Sequence, residues 1–154
     1  MLDVGNRLPD LEVDLSDGRR LPLATFAGQW LVLYFYPKDN TPGCTLEALE
    51  FRELASAFRA SGARILGVSR DSLKSHQNFC GKHDLPFALV SDPEETLCRA
   101  FDVMREKTLY GRRHIGIERS TFLIDPQQRI IKAWRRVKVA GHAQAVLNAL
   151  REAS

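Results

Sequence analysis

Apolar residues alternate with polar ones at Leu11, Val13 and Leu15, stop at Ser16-Asp17-Gly18, and resume at Leu21 and Leu23. A period of two broken by turn formers predicts a short β-hairpin near the N-terminus. An unbroken apolar run follows at residues 30–36, Trp-Leu-Val-Leu-Tyr-Phe-Tyr, and reads as a buried strand. The period then changes. Phe51, Leu54, Ala55 and Phe58 stand at i, i+3, i+4 and i+7, which predicts a helix from about 41 to 60, ended by Ser61-Gly62. Residues 63–69, rich in Ile, Leu and Val, read as a second strand. Asp71 or Ser72 caps a helix running toward His83, and Pro86 precedes a short strand at 87–90. Ser91-Asp92-Pro93-Glu94 reads as a further helix start, with Leu97, Cys98 and Phe101 turned inward. Residues 102–118 are polar and carry two glycines, so a loop or loose hairpin is expected there. Strands at 120–125 and 129–137 flank the turn Pro126-Gln127-Gln128, and Ala143, Val146, Leu147 and Leu150 mark the inner face of a last helix.

Strand, helix, strand, helix, then a late strand pair and a closing helix is an α/β order. The strands at 30–36 and 63–69 must run parallel, because a helical crossover joins them. A length of 154 residues fits one domain, 1–154, with a substantial core. Hydrophobic residues at 44% and charged residues at 27% place the chain among ordinary globular proteins rather than disordered ones. The longest apolar run is seven residues, against the ~20 a membrane helix needs, so no membrane association is expected. The first seven residues lack a basic start and an apolar stretch, so no signal peptide is read and a cytoplasmic protein is expected. The net charge is +3, with basic residues late in the chain at Arg112, Arg113, Arg119, Lys132, Arg135, Arg136 and Lys138. They read as a solvated face or as a docking surface for an acidic protein. Nucleic acid is not expected, since the charge is modest and no binding motif accompanies it.

The candidate chemistry is sulfur chemistry. Cysteines stand at 44, 80 and 98, with no CxxC and no structural zinc spacing. In a reducing compartment such cysteines are catalytic or buried rather than a disulfide framework. Cys44 falls at the junction of the first long strand and its helix. Thr41 reads as the N-cap and Pro42 as the first helical residue, which makes Cys44 third in the helix. There it faces free backbone N–H groups and the positive end of the helix dipole, and both favour the ionised, nucleophilic thiolate. The junction lies at the C-terminal edge of a strand, where open α/β sheets place their ligands. The histidines, 76, 83, 114 and 142, are scattered and read as surface residues; His76 and His83 are seven apart, too far for an i, i+4 metal pair. No glycine loop for phosphate is present, so neither a nucleotide nor a flavin is expected, and the cysteine and histidine spacings predict no metal.

The spacing Pro37-x-x-x-Thr41-x-x-Cys44 resembles the active-site motif of the peroxiredoxins, thiol peroxidases of thioredoxin-like fold. The wider string at 35–48, Phe-Tyr-Pro-Lys-Asp-Asn-Thr-Pro-Gly-Cys-Thr-Leu-Glu-Ala, is similar to their bacterioferritin comigratory protein branch, the Q type. The string at 119–125, Arg-Ser-Thr-Phe-Leu-Ile-Asp, resembles that branch's arginine-bearing strand, and the likeness runs from about Val4 to the last helix. The resemblance implies a thioredoxin-like sandwich, a central mixed sheet flanked by helices, with the hairpin at its N-terminus. It implies that Cys44 attacks hydrogen peroxide or an organic hydroperoxide and becomes a sulfenic acid. Arg119 would hold the thiolate and a peroxide oxygen, Thr41 would present its hydroxyl to the same site, and Pro37 would shield the thiolate from water. Glu47, one turn after Cys44, reads as ordinary compensation of the helix dipole, structural rather than catalytic, and opposed to thiol ionisation.

Leu49 stands where one subtype carries its resolving cysteine. A second subtype has it 36 residues after the first cysteine, which is Cys80. Cys98, between Leu97 and Phe101, reads as core. The expectation is therefore an atypical two-cysteine enzyme, a monomer, that closes a Cys44–Cys80 disulfide and is reduced by thioredoxin or a glutaredoxin-type protein. A redox sensor using the same switch and a general disulfide oxidoreductase are the rivals. No extra domain receives a signal, and the missing CxxC counts against the oxidoreductase.

Overall fold

The computed structural model describes residues 2–154; Met1 lies outside them. The strands are β1 (Glu12–Leu15), β2 (Arg20–Pro22), β3 (Trp30–Phe35), β4 (Ala63–Ser69), β5 (Ala88–Ser91), β6 (Met104–Leu109), β7 (Arg112–Ile117), β8 (Ser120–Ile124) and β9 (Ile130–Trp134). The helices are α1 (Pro42–Ala60), α2 (Leu73–His83), α3 (Thr96–Ala100) and α4 (His142–Ala153). Seven strands form one sheet in the order β2-β1-β5-β4-β3-β8-β9. β3, β4 and β5 are parallel, as the crossovers require, and β1, β2, β8 and β9 run antiparallel to their neighbours. The central mixed sheet flanked by helices, with the hairpin at its edge, is thus present.

The unbroken apolar run has a physical reason. β3 lies mid-sheet and is covered on both sides. Val32, Tyr34 and Tyr36 join the core under α1, α2 and α4, with Phe51, Phe58, Phe79, Val146 and Leu147. Leu31, Leu33 and Phe35 join the opposite core, with Leu97, Phe101, Phe122 and Ile124. Tyr34 stacks on Phe51 at 4.6 Å between ring centres. Its ring also lies against the backbone of Gly67 in β4, where a Cβ would meet it at 2.7 Å. No helix among the described residues is long and apolar enough to cross a membrane.

Three stretches refine the sequence expectation. Residues 104–117 form a regular hairpin, β6 with β7, paired from Met104↔Ile117 to Leu109↔Arg112. Its turn is Tyr110-Gly111, with φ of +52° and +76°, the left-handed pair that a tight two-residue hairpin requires. Charges on both faces hide the alternation that would announce it. β9 stops at Trp134 rather than 137, and Arg136 takes a left-handed φ of +52° that breaks the extended chain. The helix expected from 91–94 begins at Thr96, and the Asp92 carboxylate accepts the N–H groups of Leu97 and Cys98 at 3.2 and 2.8 Å.

Candidate active site

The loop from Pro37 to Thr41 carries the chain from β3 into α1. Asn40 adopts a left-handed φ of +62°, which turns the chain back toward the helix. Thr41 is extended and flanks the helix, and Pro42 opens it, as the sequence predicts. The hydroxyl of Thr41 does not cap, however. It donates to the Lys38 carbonyl at 2.8 Å and keeps its lone pairs for another donor. Pro37 is partly buried at the loop's start. The N–H groups of Gly43 and Cys44 lie in the first turn, where the helix offers no acceptor.

Cys44 is 2% exposed. Arg119 immediately precedes β8, whose pairing beside β3 delivers it to the helix start. One guanidinium nitrogen donates to Cys44 Sγ at 3.4 Å, and the other donates to Glu47 Oε1 at 2.5 Å. Gly43 leaves room for this approach: a Cβ there would stand 3.2 Å from Arg119 Nη2. Burial works against the charge on Arg119, but Glu47 and Cys44 outweigh it and raise its affinity for the proton.

Glu47 corrects the sequence expectation. It is 1% exposed and is Arg119's partner rather than a solvated residue compensating the dipole. Burial lifts its carboxyl to about 7, against the pull of Arg119. Its second oxygen is buried without any hydrogen-bond partner. On the outer side of the site Lys107, from β6, donates to the Ile117 carbonyl at 2.7 Å. Burial first, and then repulsion by Arg119, push the Lys107 ammonium below its ordinary range. The loose hairpin that the sequence allows at 102–118 is thus a regular one, and it borders the site.

Two of the four histidines also depart from expectation. His142 is buried, with Nε2 2.7 Å from Thr121 Oγ1; burial and then Arg119 push it down to about 4, so it is neutral at pH 7. His76 is fully buried on α2, where its Nδ1 meets Asp39 Oδ2 at 2.7 Å. The ligand-type atoms of Asp39, Asp71 and His76 lie within 4.8 Å of one another, as in a cation site. Each is already engaged: Asp39 by Tyr36, Ser75 and His76, and Asp71 by Ser69 and the Asp39 N–H. A hint lay in the sequence, since polar Asp39 and His76 sit beside segments that are otherwise core-forming.

Cys80 lies near the end of α2, half-buried, with Sγ 3.6 Å from Ser16 Oγ in the β1–β2 turn. Burial pushes its thiol up, with Ser16 opposing. It lines a cleft of about 460 Å³ with Ser16, Phe26, Leu66, Leu85 and Phe87. All three cysteines are free. Cys44 and Cys80 thus face different partners, Arg119 and Ser16, and no bond joins them. Cys98 is core, as expected, and burial followed by Asp92 pushes its thiol far up.

The AhpC/TSA family model matches residues 4–133. Peroxiredoxin Bcp of Xanthomonas campestris pv. campestris is 60% identical over 142 residues, covering 92% of this chain and 89% of that one. A solved structure of the Xanthomonas campestris bacterioferritin comigratory protein, described as bearing on its alkyl peroxide reduction activity, superposes with a TM-score of 0.92. It is 55% identical and covers 98% of this chain and 99% of that one. Two further structures of Xanthomonas campestris peroxiredoxin Q, with TM-scores of 0.92 and 0.91 and 55% identity, cover 99% of this chain and 98% and 96% of theirs. Each carries one cysteine-to-serine change, at positions 36 residues apart. This chain belongs to the AhpC/TSA family, and within it is a peroxiredoxin of the Bcp, or Q, branch: a thiol peroxidase of thioredoxin-like fold.

Proposed function

We propose that this peroxiredoxin reduces hydrogen peroxide and organic hydroperoxides through Cys44 and closes the cycle with Cys80. The observation that carries the reading is Arg119 bridging Cys44 and Glu47 at the open end of α1. The Cys44 thiolate attacks the terminal oxygen of ROOH. An S–O bond forms, the O–O bond breaks, and the leaving oxygen departs as alcohol, or as water, after taking a proton. Charge grows on that oxygen, and Arg119 and the first-turn N–H groups are the donors that stabilise it, while the Thr41 hydroxyl, whose proton goes to the Lys38 carbonyl, accepts the proton of the peroxide. The product is a sulfenic acid at Cys44. Pro37, with no N–H of its own, limits water at the loop's start.

Cys80 then attacks the Cys44 sulfur. An S–S bond forms and water leaves. The separation of Cys44 and Cys80, 36 residues, equals that of the two cysteines changed in the Xanthomonas structures. The two thiols are engaged by different partners, Arg119 and Ser16, and the end of α2 or the start of α1 unwinds to bring their Cα atoms within the ~4.4–6.8 Å that a disulfide needs. A dithiol protein, thioredoxin or a glutaredoxin-type reductant, opens the disulfide by exchange. An intrachain partner makes a second subunit unnecessary, so the working form is a cytoplasmic monomer of one domain.

The test is mass spectrometry after one equivalent of peroxide. The wild type should lose two hydrogens and yield a bridged Cys44–Cys80 peptide. Cys44→Ser should retain the fold and lose all turnover. Cys80→Ser should gain one oxygen at Cys44 and lose dithiol-dependent turnover. An internal disulfide formed at the wild-type rate in Cys80→Ser, but absent from Cys98→Ser, assigns resolution to Cys98 instead.

A further inference from the structure

Asp39 lies five residues before Cys44, inside the loop between Pro37 and Thr41, and is 5% exposed. Its Oδ1 accepts from the Tyr36 hydroxyl at 2.6 Å, and its Oδ2 accepts from Ser75 Oγ at 2.8 Å and His76 Nδ1 at 2.7 Å. Burial works against the Asp39 charge, but the hydrogen bonds from His76 and Tyr36 outweigh it and hold the carboxyl below its ordinary range. The other ring nitrogen of His76 faces the Val90 carbonyl at 3.0 Å and Ser69 Oγ at 3.4 Å. Ser69 gives its own proton to Asp71 Oδ2, 2.6 Å away, so it too is an acceptor toward the ring. With a carboxylate on one side and a carbonyl on the other, both ring nitrogens have a partner and the ring is held on both edges.

The pair joins two elements that the reaction must move. Asp39 belongs to the loop that delivers Cys44. His76 sits one helical turn before Cys80, on the same face of α2. A second strut runs alongside: the Asp39 N–H donates to Asp71 Oδ2 at 2.9 Å, and Ser91 Oγ donates to the Asp71 carbonyl at 2.6 Å. Removing one member of a buried, hydrogen-bonded pair strands the other charge away from water. The loop and α2 are therefore held in one relative position for as long as the pair is intact.

We propose that the buried, hydrogen-bonded Asp39–His76 pair is the positioning element that keeps the Cys44 loop closed against α2 and so divides the cycle between peroxide attack and disulfide closure. The proposal rests on the reading of Cys80 as the resolving thiol. Neither residue contacts the Cys44 sulfur. The closed loop keeps Thr41 and the first-turn N–H groups aligned for peroxide, and the same closure opposes the unwinding that Cys80 needs. Loosening the pair therefore moves the two steps in opposite directions, whereas a substitution that does not reach the contact between the loop and α2 leaves their ratio unchanged.

The experiment is a single-turnover reaction with hydrogen peroxide on Asp39→Asn, His76→Asn and the double variant, with oxidation of Cys44 and closure of the disulfide timed separately. Each single variant should slow the first step by about tenfold and speed the second by about tenfold, within the range of coupled buried pairs. The double variant should match the worse single variant, because the pair is broken only once. Should the singles fail to fold, Ser75→Ala removes one donor to Asp39 and should give the same opposed changes, about threefold each. An unchanged ratio of the two rates, both rates falling together, or effects that multiply in the double variant would overturn the proposal. The peroxide step is repeated in a Cys80→Ser background, where the tenfold loss should persist. If Cys80→Ser alone still closes its disulfide normally, the resolving assignment fails, while this arm continues to judge the Asp39–His76 pair.

Discussion

Two buried side-chain pairs flank Cys44, and they are built to different standards. Asp39 and His76 are fully used: both carboxylate oxygens accept, and both ring nitrogens have a partner. Glu47 and Arg119 are not, since Glu47 Oε2 is buried with no partner and its carboxyl titrates near 7. Burying a charge is tolerable only when its hydrogen bonds are complete. The first pair meets that condition and behaves as a fixture. The second falls short of it, on the side where the thiolate and the incoming peroxide meet. A guanidinium whose carboxylate partner is under-solvated is left with charge to spend on Cys44 and on the oxygen that leaves.

The sharpest way to break this contrast is Arg119→Ala. It removes the donor to Cys44 Sγ and leaves Glu47 unpaired. The second-order rate constant with peroxide should fall by about 10²–10³, as when one donor to a developing oxyanion is lost. The same step measured in Arg119→Lys should be only partly restored, because a point charge cannot serve sulfur and carboxylate together. An unchanged rate constant in Arg119→Ala would remove the arginine from the site.

Cys44, Thr41 and Pro37 were legible in the sequence because their geometry is local: a strand end, a cap position and a first helical turn within eight residues. Arg119 was legible only through a resemblance, since its place depends on β8 pairing beside β3. The surroundings of Asp39 and His76, 37 residues apart, depend on the packing of α2 against β4 and β5. Nothing periodic in the chain reports that, so His76 looked like a surface residue. Glu47 misled for a related reason. An acid in an early helical turn is ordinary, and only the approach of Arg119 over Gly43 shows that this one is buried. The β6–β7 hairpin was hidden because it is a separate ribbon held by register rather than by an apolar face.

The second test separates the pairs by pH. Glu47 rises to about 7 in the folded protein, from an ordinary value of 4.5. Between those values the unfolded chain releases the proton and the folded one keeps it, so stability falls as pH rises from 4.5 to 7 and is level above. The shift corresponds to an effect of ~3 kcal/mol at most. Glu47→Gln cannot titrate, so the stability of the variant relative to wild type should climb across this window. Urea unfolding of both proteins at pH 5 and pH 8 measures it. Asp39, held below its ordinary range, is ionised throughout and adds no such slope there. A Gln variant whose stability tracks the wild type at both pH values would mean that Glu47 is ionised throughout, and the contrast between the pairs would collapse.

The smallest effect belongs to Thr41, which stands between the two pairs, two residues after Asp39 and three before Cys44. Its hydroxyl donates to the Lys38 carbonyl, so it braces the loop that Asp39 anchors, and its lone pairs remain for a proton on the peroxide. Thr41→Val keeps the shape and deletes both functions; Thr41→Ser keeps the hydroxyl and deletes only a methyl group. The lost hydrogen bond should cost about 1 kcal/mol of stability in Thr41→Val. If the hydroxyl also meets peroxide, the rate constant of the peroxide step should fall by roughly tenfold in that variant, as for a lost neutral hydrogen bond of ~1.4 kcal/mol. Thr41→Ser should stay within about twofold of wild type in both measurements, since it retains the hydrogen bond. A Val variant that loses stability but reacts with peroxide at the wild-type rate would confine Thr41 to the loop, and would assign the alignment of peroxide to Arg119 and the helix N–H groups alone.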